Sequence, residues 1–312
     1  MNFKGELLIM RNLDKYKGVI PAFYACYDEK GEISPERVQK LAKYYLDKGV
    51  KGLYVGGSSG ECIYQNVEER KLVLENVMEA VGGKLTIIAH VAAPSTRDSV
   101  ELAKHAEKCG VDALAAIPPI YFVLSEAAIE DYWTSIMEAT SLDFFIYNIP
   151  QTTGYALSVD LFKKMMAKDQ VVGVKNSSMP VMDINVFKLN AAKDSIVFNG
   201  PDEQFIGGRV MGADGGIGGT YGVMPELFLK ANECLANGDL AKALEIQTTI
   251  NDIIFKMCSF KGNLYDVMKL ILAQRGMDIG RARNPLPHVQ EDEMPRITEV
   301  REFIDQAIEK FK

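Results

Sequence analysis

Lys175 stands at the end of the apolar run Val171-Val172-Gly173-Val174. A lysine amine carried by such a run into a partly dry cleft loses hydration, which favours the neutral, nucleophilic form. A neutral amine adds to a ketone or aldehyde, and the resulting iminium draws electrons from the neighbouring carbon. The plain alternative is a surface lysine whose stem lies along the strand end. Tyr147, in Phe144-Phe145-Ile146-Tyr147-Asn148-Ile149-Pro150, carries a phenol that could relay a proton at a reacting carbon. A core aromatic with a satisfied hydroxyl is its alternative. Tyr121, after Pro118-Pro119-Ile120, could extend such a relay or pack at a subunit contact.

Three glycine-rich or acidic turns accompany these groups. Gly56-Gly57-Ser58-Ser59-Gly60-Glu61 could hold a carboxylate on its backbone N–H groups and two hydroxyls. The same residues match G-x-S-x-G, which would make Ser58 a hydrolase nucleophile, but that needs a histidine and an acid at the same place. His288, the one late histidine, sits in a proline-rich loop. Gly200-Pro201-Asp202-Glu203 places two carboxylates where they could hydrogen-bond a polyol or merely meet a helix N-terminus. Gly215-Gly216-Ile217-Gly218-Gly219-Thr220 lacks bulky side chains apart from Ile217, which predicts space and free N–H groups for an anionic or bulky ligand.

The elements that must position these groups repeat. Short apolar or β-branched runs begin near Gly18, Gly52, Leu85, Ala113, Asp143, Val171, Ser195 and Asp214, each followed by a helix-period segment. Ser34-Pro35-Glu36 reads as a helix start, and Asn66 with Glu69 as a capping box. Pro225 opens a helix ending near Gly238, and further helices reach Lys312, interrupted by Asn284-Pro285-Leu286-Pro287. Eight such units predict an α/β (β/α)8 TIM barrel with a C-terminal helical extension, with residues 12–237 as the barrel and 238–312 as helices packed on it. In that fold chemistry lies at the C-terminal ends of strands, where all the groups above fall.

Composition narrows the function. The 312 residues carry a net charge of −7 without a basic stripe, which argues against nucleic acid. Five scattered cysteines without a C-x-x-C pair fit free thiols in a reducing cytoplasm. No run reaches the length of a membrane span, and Leu7-Leu8-Ile9-Met10 is too short for a secretory leader. No G-x-G-x-x-G, Walker loop or H-E-x-x-H occurs, and His90, His105 and His288 are far apart, so no metal site is expected.

In combination, Gly56 to Glu61, Tyr147 to Pro150, Gly173-Val174-Lys175 and Gly212 to Thr220 resemble the N-acetylneuraminate lyase and dihydrodipicolinate synthase family of pyruvate-dependent class I aldolases. The resemblance implies a Schiff base on Lys175 and a proton shuttle at Tyr147. It also implies a carboxylate site at Ser58 and Ser59, with Ser58 helping to orient Tyr147. No metal or diffusible cofactor is implied, since the iminium on Lys175 is the electron sink. The synthase branch usually carries an arginine where this chain has Thr152, two residues after Pro150. The sialic acid branch is the better likeness, through Ile88-Ala89-His90-Val91, Asp202-Glu203 and Gly212 to Gly218. There Ser177, Gly200, Asp202, Glu203, Gly218 and Gly219 would line the sugar. Gly219 stands where serine is common and Ser177 where threonine is frequent. The implied reaction is cleavage of N-acetylneuraminate to N-acetylmannosamine and pyruvate by a cytoplasmic homotetramer. The alternatives are a synthase or an aldolase for another 2-oxo acid sugar, a serine hydrolase, and a non-catalytic barrel.

Overall fold

The computed structural model describes residues 12–191 and 194–312. The Leu7–Met10 patch and the segment before Asn12 lie outside the described residues. Eight parallel strands run β1 (Gly18–Pro21), β2 (Gly52–Val55), β3 (Thr86–His90), β4 (Ala113–Ala116), β5 (Asp143–Asn148), β6 (Val171–Asn176), β7 (Ile196–Asn199) and β8 (Gly215–Gly218). Each begins within one residue of its expected start. They pair in the order β1-β8-β7-β6-β5-β4-β3-β2. The last seam closes through an Ala22–Tyr54 bridge and the bonds Phe23 N to Tyr54 O (2.9 Å) and Lys51 N to Val19 O (3.0 Å). The architecture is therefore a (β/α)8 barrel.

The outer layer is α1 (Pro35–Asp47), α2 (Val67–Val81), α3 (Thr96–Cys109), α4 (Glu126–Glu138), α5 (Pro150–Thr153), α6 (Val159–Met166), α7 (Met182–Asn190), α8 (Phe205–Val210) and α9 (Pro225–Ala236). Local chemistry starts these helices as expected. The Ser34 side chain accepts from Arg37 N, and Asn66 and Glu69 form a reciprocal capping box. The barrel interior is filled by Ile20, Tyr54, Ile88, Phe145, Tyr147, Phe198 and Ile217, with Tyr16 closing the N-terminal end against Phe145. A packed interior leaves only the mouth for chemistry.

Beyond the barrel run α10 (Leu240–Cys258), α11 (Leu264–Gln274) and α12 (Met294–Phe311). Their apolar faces, including Ile246, Ile253, Ile271 and Ile304, belong to the same core cluster as the helices around the barrel. Among the described residues no helix is long and apolar enough to cross a membrane.

Candidate active site

β5 and β6 pair so that Tyr147 faces Lys175 and Asn148 faces Asn176. Alternation along a strand then sends Tyr147 and Lys175 inward together. Lys175 is 5% exposed, and its Nζ lies 4.0 Å from the Tyr147 ring centroid and 4.5 Å from that of Tyr54. Among the described residues no carboxylate forms an ion pair with this amine; aromatic faces hold it. Such contacts are worth about 0.5–2 kcal/mol, and no carboxylate has to be displaced before the nitrogen reacts.

A buried polar network behind the motif fixes the two strand ends. Asn148 Nδ2 donates to Asn176 Oδ1 (2.7 Å), and Asn148 Oδ1 accepts from Leu157 N (3.0 Å). Asn176 Nδ2 donates to Ser178 Oγ (2.8 Å), and Ser177 N donates to Asn148 O (2.7 Å). Ser177 is buried against Gly200, where a Cβ would come 1.9 Å from its Oγ.

The Gly56–Glu61 turn follows β2. Its own bonds use the N–H groups of Gly60, Glu61 and Cys62, leaving those of Ser58 and Ser59 without a partner among the described residues. Two adjacent free N–H groups suit a carboxylate. Ser59 is buried, whereas Ser58 is exposed. The Ser58 side chain makes no hydrogen bond to Tyr147, so its orienting role is not seen here. Ser58 instead lines a cavity of ≈ 570 Å³ together with Cys62, Arg70, Thr152 and Tyr265.

His90 cannot serve Ser58 as a base. Ile117 N donates to its Nε2 (3.4 Å), so Nδ1–H donates to Gly56 O (2.8 Å). Burial, then the Arg70 charge, brings the ring down to about 3, and it stays neutral. His288 is bonded to Ala282 O at 2.6 Å. The hydrolase reading therefore lacks its histidine.

At the opposite wall Asp202 is buried, and Oδ2 accepts from Thr220 N (2.7 Å) and Thr220 Oγ1 (2.6 Å). Burial pushes this carboxyl up to about 7 even though the Thr220 bonds pull it down. Glu203 beside it is half-buried. The glycine run of β8 does not open the expected space. A Cβ at Gly216 would meet the Tyr221 hydroxyl at 2.2 Å, and one at Gly218 would meet Asp202 Oδ1 at 2.0 Å. These glycines admit Tyr221, Phe205 and Asp202, and the Thr220 N–H is already spent on Asp202.

Tyr121 does not join the cluster within one chain. It is 91% exposed with φ 86°, and its ring packs edge-on against Phe122. The Pro118-Pro119 segment carries the chain off the end of β4, and the left-handed backbone turns Tyr121 outward.

Three contributors escaped local reading. Tyr54 lies on β2 with its buried hydroxyl unpartnered. Its place two residues before Gly56 on an alternating strand is the one available clue. Thr220 holds Asp202 across the β8 end. Tyr265, on α11, lines the same cavity as Ser58 from the C-terminal segment. Among the described residues no cluster of three or more His, Cys, Asp or Glu side chains could hold a metal.

Comparison with known proteins agrees with this geometry. Residues 15–304 match the model of the dihydrodipicolinate synthetase family. The chain is 59% identical over 304 residues to N-acetylneuraminate lyase of Mediterraneibacter gnavus, covering 97% of this chain and 96% of that protein. It superposes on a catalytic lysine mutant of Ruminococcus gnavus sialic acid aldolase with a TM-score of 0.96 at 59% identity, over 97% of this chain and all of that one. N-acetylneuraminate lyase from Fusobacterium nucleatum complexed with pyruvate is 31% identical with a TM-score of 0.85, over 96% of this chain and 98% of that one. With a family model spanning nearly the whole barrel and the C-terminal helices, the chain belongs to the dihydrodipicolinate synthetase family.

Proposed function

We propose that the protein is a class I aldolase that cleaves N-acetylneuraminate to N-acetylmannosamine and pyruvate. The observation that carries the chemistry is the Lys175 amine, buried and set on the Tyr147 ring without an ion-pair partner among the described residues. The likeness to sialic acid lyases supports the substrate.

The C2 ketone of the open-chain sugar accepts the Lys175 amine and loses water to give an iminium. Its carboxylate lies on the Ser58 and Ser59 N–H groups. Tyr147, directly or through that carboxylate, takes the proton of the C4 hydroxyl. The C3–C4 bond then breaks, its electrons flow into the iminium to form an enamine, and the aldehyde of N-acetylmannosamine leaves. Protonation at C3 and hydrolysis release pyruvate and return the free amine. The iminium supplies the electron sink, so this reading calls for no metal or diffusible cofactor. Ser177, Gly200, Asp202, Glu203, Gly218 and Gly219 form the sugar side of the cleft. A cytoplasmic homotetramer remains part of the proposal, and the exposed Tyr121, Phe122 and Val123 side chains support a contact between copies.

The test is intact mass after incubation with N-acetylneuraminate and borohydride. A reduced pyruvyl adduct on Lys175, absent from a folded Lys175→Ala variant, is expected. An adduct with pyruvate alone would retain the aldolase and discard this sugar. No adduct with either would overturn the reading.

A further inference from the structure

Glu61 closes the Ser58–Ser59 turn in the left-handed conformation, φ 53°, and its carboxylate is fully buried. A non-glycine residue holds that conformation only when its surroundings enforce it. Both carboxylate oxygens are engaged, and both partners come from the C-terminal segment. Lys269 Nζ donates to Oε1 at 2.6 Å, and Arg283 N donates to Oε2 at 2.8 Å. Lys269 also donates to Arg281 O at 3.0 Å and lies 4.6 Å from the Tyr27 ring centroid. The pair joins positions 208 residues apart and is the most deeply buried ion pair among the described residues, with side chains 1% and 0% exposed.

Taking two charges out of water is costly, and apolar residues often fill such a place at equal or better stability. The pair therefore suggests a geometric purpose. Glu61 is bonded through its own N–H to Ser58 O (2.9 Å), and Gly60 N to Gly57 O (3.0 Å), so the direction of the free Ser58 and Ser59 N–H groups follows from where Glu61 is pinned. One turn before Lys269 on the same helix, Tyr265 lines the cavity that Ser58 and Glu61 also line. α11 thus grips the turn at Glu61 through Lys269 and stands beside it through Tyr265.

We infer that Lys269 is a positioning residue for the 2-oxo acid carboxylate, acting through Glu61, and that the C-terminal segment completes the site. This rests on the aldolase reading above. Lys269 does not touch substrate. It holds the turn whose N–H groups do, so its loss weakens recognition of the carboxylate and spares the amine chemistry.

The test compares pyruvate with acetone, which keeps the ketone and lacks the carboxylate, as borohydride-trapped adducts on Lys175. In Lys269→Met, the pyruvate concentration for half-maximal adduct should rise tenfold or more, while the acetone adduct forms as in wild type. Lys269→Arg should recover most of the pyruvate affinity. Should Lys269→Met fail to fold, the double variant Glu61→Gln/Lys269→Met removes both charges and so leaves no unpaired buried charge. It should show the same selective loss for pyruvate. A folded variant with unchanged pyruvate half-saturation, or with equal losses for pyruvate and acetone, would overturn the inference. Wild-type protein giving no pyruvate adduct would instead overturn the aldolase reading on which it stands.

Discussion

Tyr147 and Lys175 are cross-strand neighbours: β5 and β6 pair them in register, and the lysine Nζ stands over the phenol ring at 4.0 Å from its centroid. The same ring therefore shapes the nucleophile's surroundings and carries the hydroxyl assigned to proton transfer. These two roles separate on removing one oxygen.

Tyr147→Phe keeps the ring and loses the relay. Turnover of N-acetylneuraminate should fall by about 10²–10⁴-fold, the range for a lost acid–base group. The pyruvate adduct on Lys175 should still form, since the ring face is intact. Steady-state rates and borohydride trapping, measured on one preparation, decide this. Equal losses in both would show that Tyr147 only shapes the pocket.

Much of this pairing was legible beforehand. Eight apolar runs with helical segments between them announced the barrel, and the strand-end rule put Lys175 and Tyr147 among several candidates, from which the likeness of the combined motifs to the aldolase family singled them out. The reading failed where contacts are long-range or where space is filled from elsewhere. Lys269 reaches Glu61 of the Ser58–Ser59 turn from a position 208 residues away, and no local spacing encodes that approach. Gly216 and Gly218 suggested an opening, yet Tyr221, Phe205 and Asp202 occupy it. A glycine marks a close approach without naming what approaches. Tyr121 is open to two readings in the sequence, a relay or a subunit contact, and its left-handed backbone after two prolines turns it away from the cleft of its own chain.

Asp202 should make stability depend on pH. Burial raises its folded value to about 7 from an ordinary 3.8. The folded chain thus holds a proton that the unfolded chain releases. The stabilisation is fully present below pH 3.8 and is lost as pH rises through about 7. Asp202→Asn removes the titration and keeps an acceptor for Thr220 N. Relative to the variant, wild type should lose about 2–4 kcal/mol between pH 4 and 8. Urea denaturation at four pH values checks the slope, and a difference that stays constant with pH would refute the raised carboxyl. His90, neutral in the fold but protonated below about 6.5 in the unfolded chain, adds stability as pH rises from 4 to 6.5 in wild type and variant alike, so it cancels in the difference.

Gly219 faces Ser59. A Cβ there would lie 2.8 Å from Ser59 Oγ, closer than side-chain carbons sit. Gly219→Ser should therefore displace the carboxylate-binding turn rather than add a sugar contact. The pyruvate half-saturation should rise roughly 5- to 10-fold, the low end of the usual 1–3 kcal/mol cost of overpacking. Ser59→Ala removes the obstructing oxygen, so the double variant should bind pyruvate better than the sum of the two single losses predicts. Strict additivity in that cycle would show that the two positions do not press on each other.

Asn176, the neighbour of Lys175 on β6, is tied by its side chain to Asn148 and Ser178. Its amide receives Asn148 Nδ2 and gives to Ser178 Oγ, and both partners are buried. Asn176→Ala leaves Asn148 Nδ2 without its acceptor and should cost about 1–3 kcal/mol, read as a lower urea midpoint at unchanged slope. Because Asn148 and Asn176 pair one residue beyond Tyr147 and Lys175, the strand ends should also loosen. Adduct formation should slow even at temperatures where the variant is fully folded. If folded Asn176→Ala traps pyruvate at the wild-type rate, the network stabilises the barrel without aligning its nucleophile.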